Sequence, residues 1–168
     1  MDRKRIMFLM SDTGGGHRAA ADAIRAAMEL RYPGEYAFEL VDVYRRYTPF
    51  PFNFMPEVYP RWVNHSTATW WFILWWIESR YRERPVMSVV HRLWRRGIYR
   101  LIREHPADVV VAVHSLFARP VMRAYHEAQA FRPPYVTVVT DLVTTPAWWY
   151  EPDVDRCLVP TEAAFDRG

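Results

Sequence analysis

The segment Ser11-Asp12-Thr13-Gly14-Gly15-Gly16-His17 sets three glycines and a histidine between two patterned stretches. Before it, Ile6 to Met10 is a continuous apolar run, the mark of a strand buried on both faces. After it, Ala19 to Leu30 carries Ala20, Ala23, Ile24, Ala27 and Met28 at helical spacing. At such a strand-to-helix turn, unpaired backbone N–H groups and the helix dipole favour an anion, and glycines let a phosphate approach the backbone. Thr13, Gly14, Gly15 and Gly16 are therefore the candidate phosphate-binding residues. The string is neither a Walker A loop nor a Gly-x-Gly-x-x-Gly fingerprint. His17 falls at the helix start, where the dipole disfavours its protonated form. A neutral imidazole beside a bound phosphate-sugar has the chemistry of a general base. A tight turn with His17 as a cap or a packed residue accounts for the same string. Asp12 has two roles open, orienting His17 or capping the turn.

The elements that must hold these residues follow a repeated grammar. Tyr36 to Val43 alternates as a second strand, so the first forty residues form one βαβ unit with a right-handed crossover. Val109 to Val113 is another all-apolar strand, ending in His114-Ser115. A helix from about Pro120 to Ala130 leads to a strand over Tyr135 to Thr140, ending at Asp141. Cys157 to Thr161 reads as a last short strand and Glu162 to Arg167 as the start of a helix. The fold class is α/β, a Rossmann-like parallel sheet. Ligands of open parallel sheets bind at the strands' carboxyl ends, which makes Asp12, His114 and Asp141 candidate cleft residues. Asp at such a position is equally a loop former. His65, His91, His105 and His126 have no ligand spacing with Cys or one another, so no metal site is expected. The single Cys157 excludes a disulfide framework, fits a reducing compartment, and reads as a small buried strand residue. With 168 residues, 51% apolar and 24% charged, one globular domain is expected and disorder is excluded as the main state.

The string Ser11 to Ala21 resembles the amino-terminal signature of the monogalactosyldiacylglycerol synthase and processive diacylglycerol glucosyltransferase family, which are GT-B glycosyltransferases. Val113-His114-Ser115-Leu116 is similar to that family's strand ending in histidine, although Ser115 stands where a proline usually follows. Val138 to Thr144 and Pro152 to Glu162 resemble its last amino-domain strands in order and spacing. Pro146 lies where the family often carries a histidine. The resemblance implies an inverting hexosyltransferase that moves a sugar from a UDP-sugar to the hydroxyl of diacylglycerol at a membrane surface. By position His17 is then the base, in the half of the enzyme that holds the acceptor. It also implies a single acceptor-binding domain over 1–168 whose carboxyl-terminal donor domain is absent, so the chain alone should not turn over. UDP-sugar enters as donor substrate, and no cofactor is expected. A missing donor-binding domain or partner chain is the implied protein partner.

The middle of the chain departs from the α/β grammar. Residues 45–105 carry eleven Arg against four acidic residues, and six of the eight Trp. Residues 48–62, with four prolines, read as irregular. Residues 68–77 form an uncharged run, Ala-Thr-Trp-Trp-Phe-Ile-Leu-Trp-Trp-Ile, about half the ~20 residues needed to span a bilayer. From Val86 the pattern is an amphipathic helix, with Val86, Val89, Val90, Leu93, Trp94, Gly97, Ile98, Leu101 and Ile102 as its apolar stripe. Trp favours the bilayer interface, and Arg draws anionic headgroups. An in-plane membrane contact is therefore expected in a helical insert at about 48–103, through Trp70, Trp71, Phe72, Trp75, Trp76, Arg92, Arg95 and Arg96. Packing of the 86–102 stripe against the sheet is the competing expectation. The partners expected are diacylglycerol and anionic membrane lipids. Nucleic acid is not, because the Arg residues are interleaved with Trp and Leu at helical spacing. The expected location is cytoplasmic, peripheral at the inner membrane face. The alternative is a non-catalytic membrane-binding or phospho-ligand-binding module of the same fold.

Overall fold

The sheet is built from five parallel strands. The computed structural model describes residues 3–13, 15–77, 80–128, 131–142 and 145–168, and among these the side chains of all but residues 74, 76, 77 and 80–84. Gly14 and the side chain of Trp76 thus lie outside what is described.

Strand β1 (Lys4–Met10) is followed by helix α1 (Gly16–Arg31), strand β2 (Tyr36–Asp42) and a short helix α2 (Val43–Tyr47). The middle segment is helical: α3 (Met55–His65), α4 (Thr67–Ile77) and α5 (Arg80–Glu104). Strand β3 (Val109–Ala112), helix α6 (Ala118–Ala128), strand β4 (Tyr135–Val138), strand β5 (Arg156–Leu158) and helix α7 (Glu162–Phe165) complete the order. In space the strands run β2-β1-β3-β4-β5, all parallel. The order reverses at β1, so the crevice between the carboxyl ends of β1 and β3 is the topological switch point. The α/β Rossmann-like class is as the sequence indicated.

Alternation along β1 fixes the two core layers. Met7 and Leu9 face one side with Trp94, Ile98, Leu101, Phe117 and Tyr125, beneath α5 and α6. Ile6, Phe8 and Met10 face the other with Ala21, beneath α1. An apolar residue at every position is what burial on both faces demands.

Three expectations are corrected. Residues 48–62 are not irregular throughout, since α3 begins at Met55 with Pro56 in its first turn, where a missing N–H costs nothing. The long helix begins at Arg80, six residues before the apolar stripe, and carries Pro85 inside it. Cys157 is exposed because β5 is an edge strand of three residues, all exposed. The 86–102 stripe divides: Trp94, Ile98 and Leu101 are buried against the sheet, while Val89 and Leu93 are exposed beside α4. No helix among the described residues is long and apolar enough to cross a membrane.

Candidate functional site

Three strand ends meet in one place. The loop after β1 leads into α1, whose cap is Gly15 at φ 80°, a left-handed conformation that glycine adopts without strain. No heavy atom stands within 4 Å of where a Cβ would sit on Gly15 or Gly16, so space is open above the loop. His17, the second residue of α1, turns toward the ends of β3 and β4. Its Nδ1 lies 3.2 Å from Thr140 Oγ1, and its ring centroid is 4.5 Å from that of His114 and 6.4 Å from that of Trp149. Burial pushes the His17 pKa below its ordinary value, offset in part by a bond to the Val113 backbone and by the charge of Asp141. Its position at the helix amino terminus acts in the same direction as burial.

His114 stands just past the end of β3 and is 7% exposed. Its ring stacks on Phe117 at 4.4 Å and meets Tyr44 edge-on at 5.5 Å. Burial, and then the neighbouring His17, drive its pKa well below the ordinary range. Asp141, beyond β4, accepts a 2.7 Å hydrogen bond from Trp149 Nε1. Asp12 lies apart from this group. Its carboxylate takes a bidentate pair from Arg18, at 2.5 and 2.8 Å from Nε and the guanidinium, so it neither bonds His17 nor caps the helix with its side chain. The Arg18 bonds hold Asp12 below the usual carboxylate range, against its partial burial.

From this polar end a cavity of about 810 Å³ runs beneath the helical segment. Thr13, His17, His114 and Asp141 line its inner end; Tyr44, Met55, Tyr59, Trp70, Val86 and Met87 are among the residues of its walls. Trp70 is wedged between Tyr59 and Trp62, at ring centroid distances of 5.0 and 5.7 Å, which fixes α4 on α3. Trp71, Phe72 and Trp75 on α4 are exposed at 53%, 62% and 64%, with Val89 and Leu93 exposed on α5. An apolar surface continuous with an apolar cavity is unusual for a soluble face and points to an apolar ligand or surface. Arg92, Arg95 and Arg96 are all exposed on α5. Arg95 is turned toward α6, where its Nε meets Glu127 at 3.3 Å and its guanidinium lies 5.5 Å from the Tyr99 ring centroid.

The structure thus gathers His17, His114, Asp141 and Thr13, and joins them to Trp70 and Trp71 through one cavity. It adds residues that sequence reasoning passed over: Thr140, Tyr44, Trp149, Met55 and Tyr59. Thr140 precedes Asp141 at a strand's carboxyl end, so the same rule that selected Asp141 points to it. Tyr44, Met55 and Tyr59 carry no signal of this kind, because they reach the site through the packing of α2 and α3.

The His114 environment predicts a pH dependence of stability. An unfolded histidine binds a proton near pH 6.5, whereas the folded His114 binds one only at much lower pH. As pH falls below about 6.5 the unfolded chain takes up the proton first, and stability is lost by up to about 1.4 kcal/mol per pH unit for that proton. Urea denaturation at pH 7.5, 6.5 and 5.5 should show this slope, and it should flatten in His114→Phe.

The family model for monogalactosyldiacylglycerol (MGDG) synthase matches residues 17–167. Monogalactosyldiacylglycerol synthase 1, chloroplastic, of Arabidopsis thaliana is 33% identical over 163 residues, which cover 96% of this chain and 30% of that protein. Synthase 2 of the same plant is 31% identical over 171 residues, covering 98% of this chain and 35% of its own length. The Spinacia oleracea synthase is 31% identical over 165 residues, covering 98% and 31%. The chain spans about a third of the length of these curated relatives. A match over nearly the whole of its length, on a parallel sheet with the glycine loop and histidine at its switch point, places this chain in the monogalactosyldiacylglycerol synthase family.

Proposed function

We propose that this chain is the acceptor-binding domain of a membrane-surface glycolipid glycosyltransferase, moving a hexose from a UDP-sugar to diacylglycerol with inversion. The observation that carries the reading is the apolar cavity that ends on His17. A diacylglycerol has one polar end bearing the reacting hydroxyl and two long apolar chains, and the cavity has the matching polarity. Its polar end is His17, His114, Asp141 and Thr13, and its walls lead to the exposed Trp71 on α4.

The chemistry follows from the positions. In this reading His17 takes the tautomer whose Nδ1–H faces Thr140 Oγ1, which leaves Nε2 to accept the hydroxyl proton. Burial keeps the ring neutral near pH 7, as a base must be. Nε2 takes the hydroxyl proton as the oxygen attacks the sugar's anomeric carbon from the face opposite UDP. The carbon–oxygen bond to the diphosphate breaks, UDP leaves with the electron pair, and the anomeric configuration inverts. The Gly15–Gly16 turn and the N–H groups opening α1 are suited to the diphosphate's charge. A donor-binding domain or partner would hold the rest of the UDP-sugar. The exposed aromatic face of α4 would rest in the bilayer interface, with Arg92 and Arg96 toward anionic headgroups. That makes the protein peripheral at a membrane, on the cytoplasmic side in this reading.

Sedimentation with vesicles of anionic phospholipid and dioleoylglycerol tests the reading. The wild-type chain should co-sediment, and replacing Trp71, Phe72 and Trp75 together by Ala should release most of it, since interfacial burial of such side chains is worth about 1.5–3 kcal/mol each at full burial. Equal binding by the triple variant, or no binding by the wild type, would show that α4 is not a lipid-facing element.

A further inference from the structure

One ring nitrogen of His114 makes no hydrogen bond to any described residue, and the residue borders the cavity. Its Nδ1 accepts from the Leu116 backbone N–H at 3.3 Å, which places the ring proton on Nε2. That Nε2–H has no partner among the described residues, although the ring is 7% exposed and borders the cavity. A ring stacked on Phe117 and met edge-on by Tyr44 is not free to turn its N–H elsewhere. The donor is therefore available to a ligand oxygen in the cavity. The His17 and His114 rings lie 4.5 Å apart between centroids, so one small polar group reaches both.

Given the acceptor reading above, on which this rests, a second oxygen must sit close to the hydroxyl that His17 deprotonates. Oxygens on adjacent carbons meet that demand, because the gauche rotamer brings them within a hydrogen-bond length of each other. We propose that His114 is a specificity-determining residue whose Nε2–H donates to the oxygen vicinal to the reacting hydroxyl. The site then selects acceptors with a glycerol-type vicinal ester over plain long-chain alcohols. A neutral imidazole suits this role, since a charged one would bind free phosphate and carboxylate as readily as an ester. His114 holds the lipid in register and moves no proton.

The test uses this chain in detergent micelles, with quenching of its cavity-lining tryptophans, among them Trp70 and Trp149, as the binding signal. The probes are dioleoylglycerol and oleyl alcohol. The ratio of the two dissociation constants, which cancels general lipid affinity, should fall about tenfold toward oleyl alcohol in His114→Phe, the value of one hydrogen bond in a dry site. His114→Gln, which keeps an N–H donor, should recover part of the ratio. A measurement on the wild type alone guards against a variant that fails to fold: the His114 imidazole proton and nitrogen resonances should shift with dioleoylglycerol and stay in place with oleyl alcohol. An unchanged ratio in folded His114→Phe, or identical resonance shifts with both lipids, overturns the role of His114 and leaves the acceptor cavity standing. Binding of neither lipid overturns the acceptor reading itself, and His114 with it.

Discussion

Replacing His17 by alanine, in this chain joined to a donor-binding domain, lowers hexose transfer from a UDP-sugar to diacylglycerol by about 10²–10⁴-fold, the usual contribution of a positioned general base. The loss falls on kcat. The KM for the lipid changes little, because the apolar walls proposed to take the acyl chains are contributed by α3, α4 and α5 and do not depend on the imidazole. The pH profile separates this role from a structural one. The His17 pKa lies below its ordinary value because of burial, so a base there stays competent through neutrality and activity falls only below about pH 6.5. Opening the site to water relieves the desolvation, and the acid limb should then move up toward 6.5. In His17→Ala the limb should vanish along with the rate. Retention of wild-type turnover by the variant would remove His17 from the chemistry, and full activity persisting far below neutrality would say that no imidazole with this environment acts as the base.

The parts of this site that were legible in the sequence are those fixed by backbone grammar. An uninterrupted apolar run, three glycines and an Ala-rich helix place His17 at a sheet's carboxyl edge, and the rule for parallel sheets brings His114 and Asp141 to the same edge. The cavity itself was not legible. It is enclosed by α3, which begins in a segment whose prolines at 49, 51, 56 and 60 read as breakers. Pro56 falls in the first turn of α3, where proline is tolerated, Pro60 lies inside the helix, and the segment is stabilised by the Tyr59–Trp70–Trp62 cluster, which only the folded chain brings together. The partner of Asp12 was not legible either. Arg18 lies six residues on and its guanidinium reaches back across the loop, and a charged bidentate partner outcompetes a neutral imidazole for the carboxylate. Cys157 was misplaced because a three-residue edge strand has the composition of an inner one.

Gly97 shows how far from the site the cavity is determined. It sits in the apolar stripe of α5, where alanine would ordinarily raise helix stability by about 1 kcal/mol. A Cβ there would stand 1.7 Å from the Tyr47 carbonyl oxygen and 2.6 Å from its carbon. These are backbone atoms at the end of α2 and cannot rotate away as a side chain would. The end of α2 is also clasped to α5, by Arg100 donating to the Arg46 carbonyl and by the Tyr47 hydroxyl bonding Glu104 and His105 at 2.7 and 2.6 Å. The two helices must part for alanine to fit, which opens the layer holding Trp94, Ile98 and Tyr44. Overpacking against fixed backbone outweighs the propensity gain, and Gly97→Ala should lose roughly 3 kcal/mol or more. Arg96→Ala, at the exposed position one residue earlier, should change stability by no more than about 0.5 kcal/mol. Urea midpoints of the two variants make the comparison, and equal stability would mean that α2 and α5 do not meet at Gly97. Because Tyr44 packs edge-on to His114 and borders the cavity, any folded Gly97→Ala protein should also bind dioleoylglycerol less tightly. A glycine outside the cavity lining thus sets the spacing of two helices whose Tyr44 and Leu93 line it.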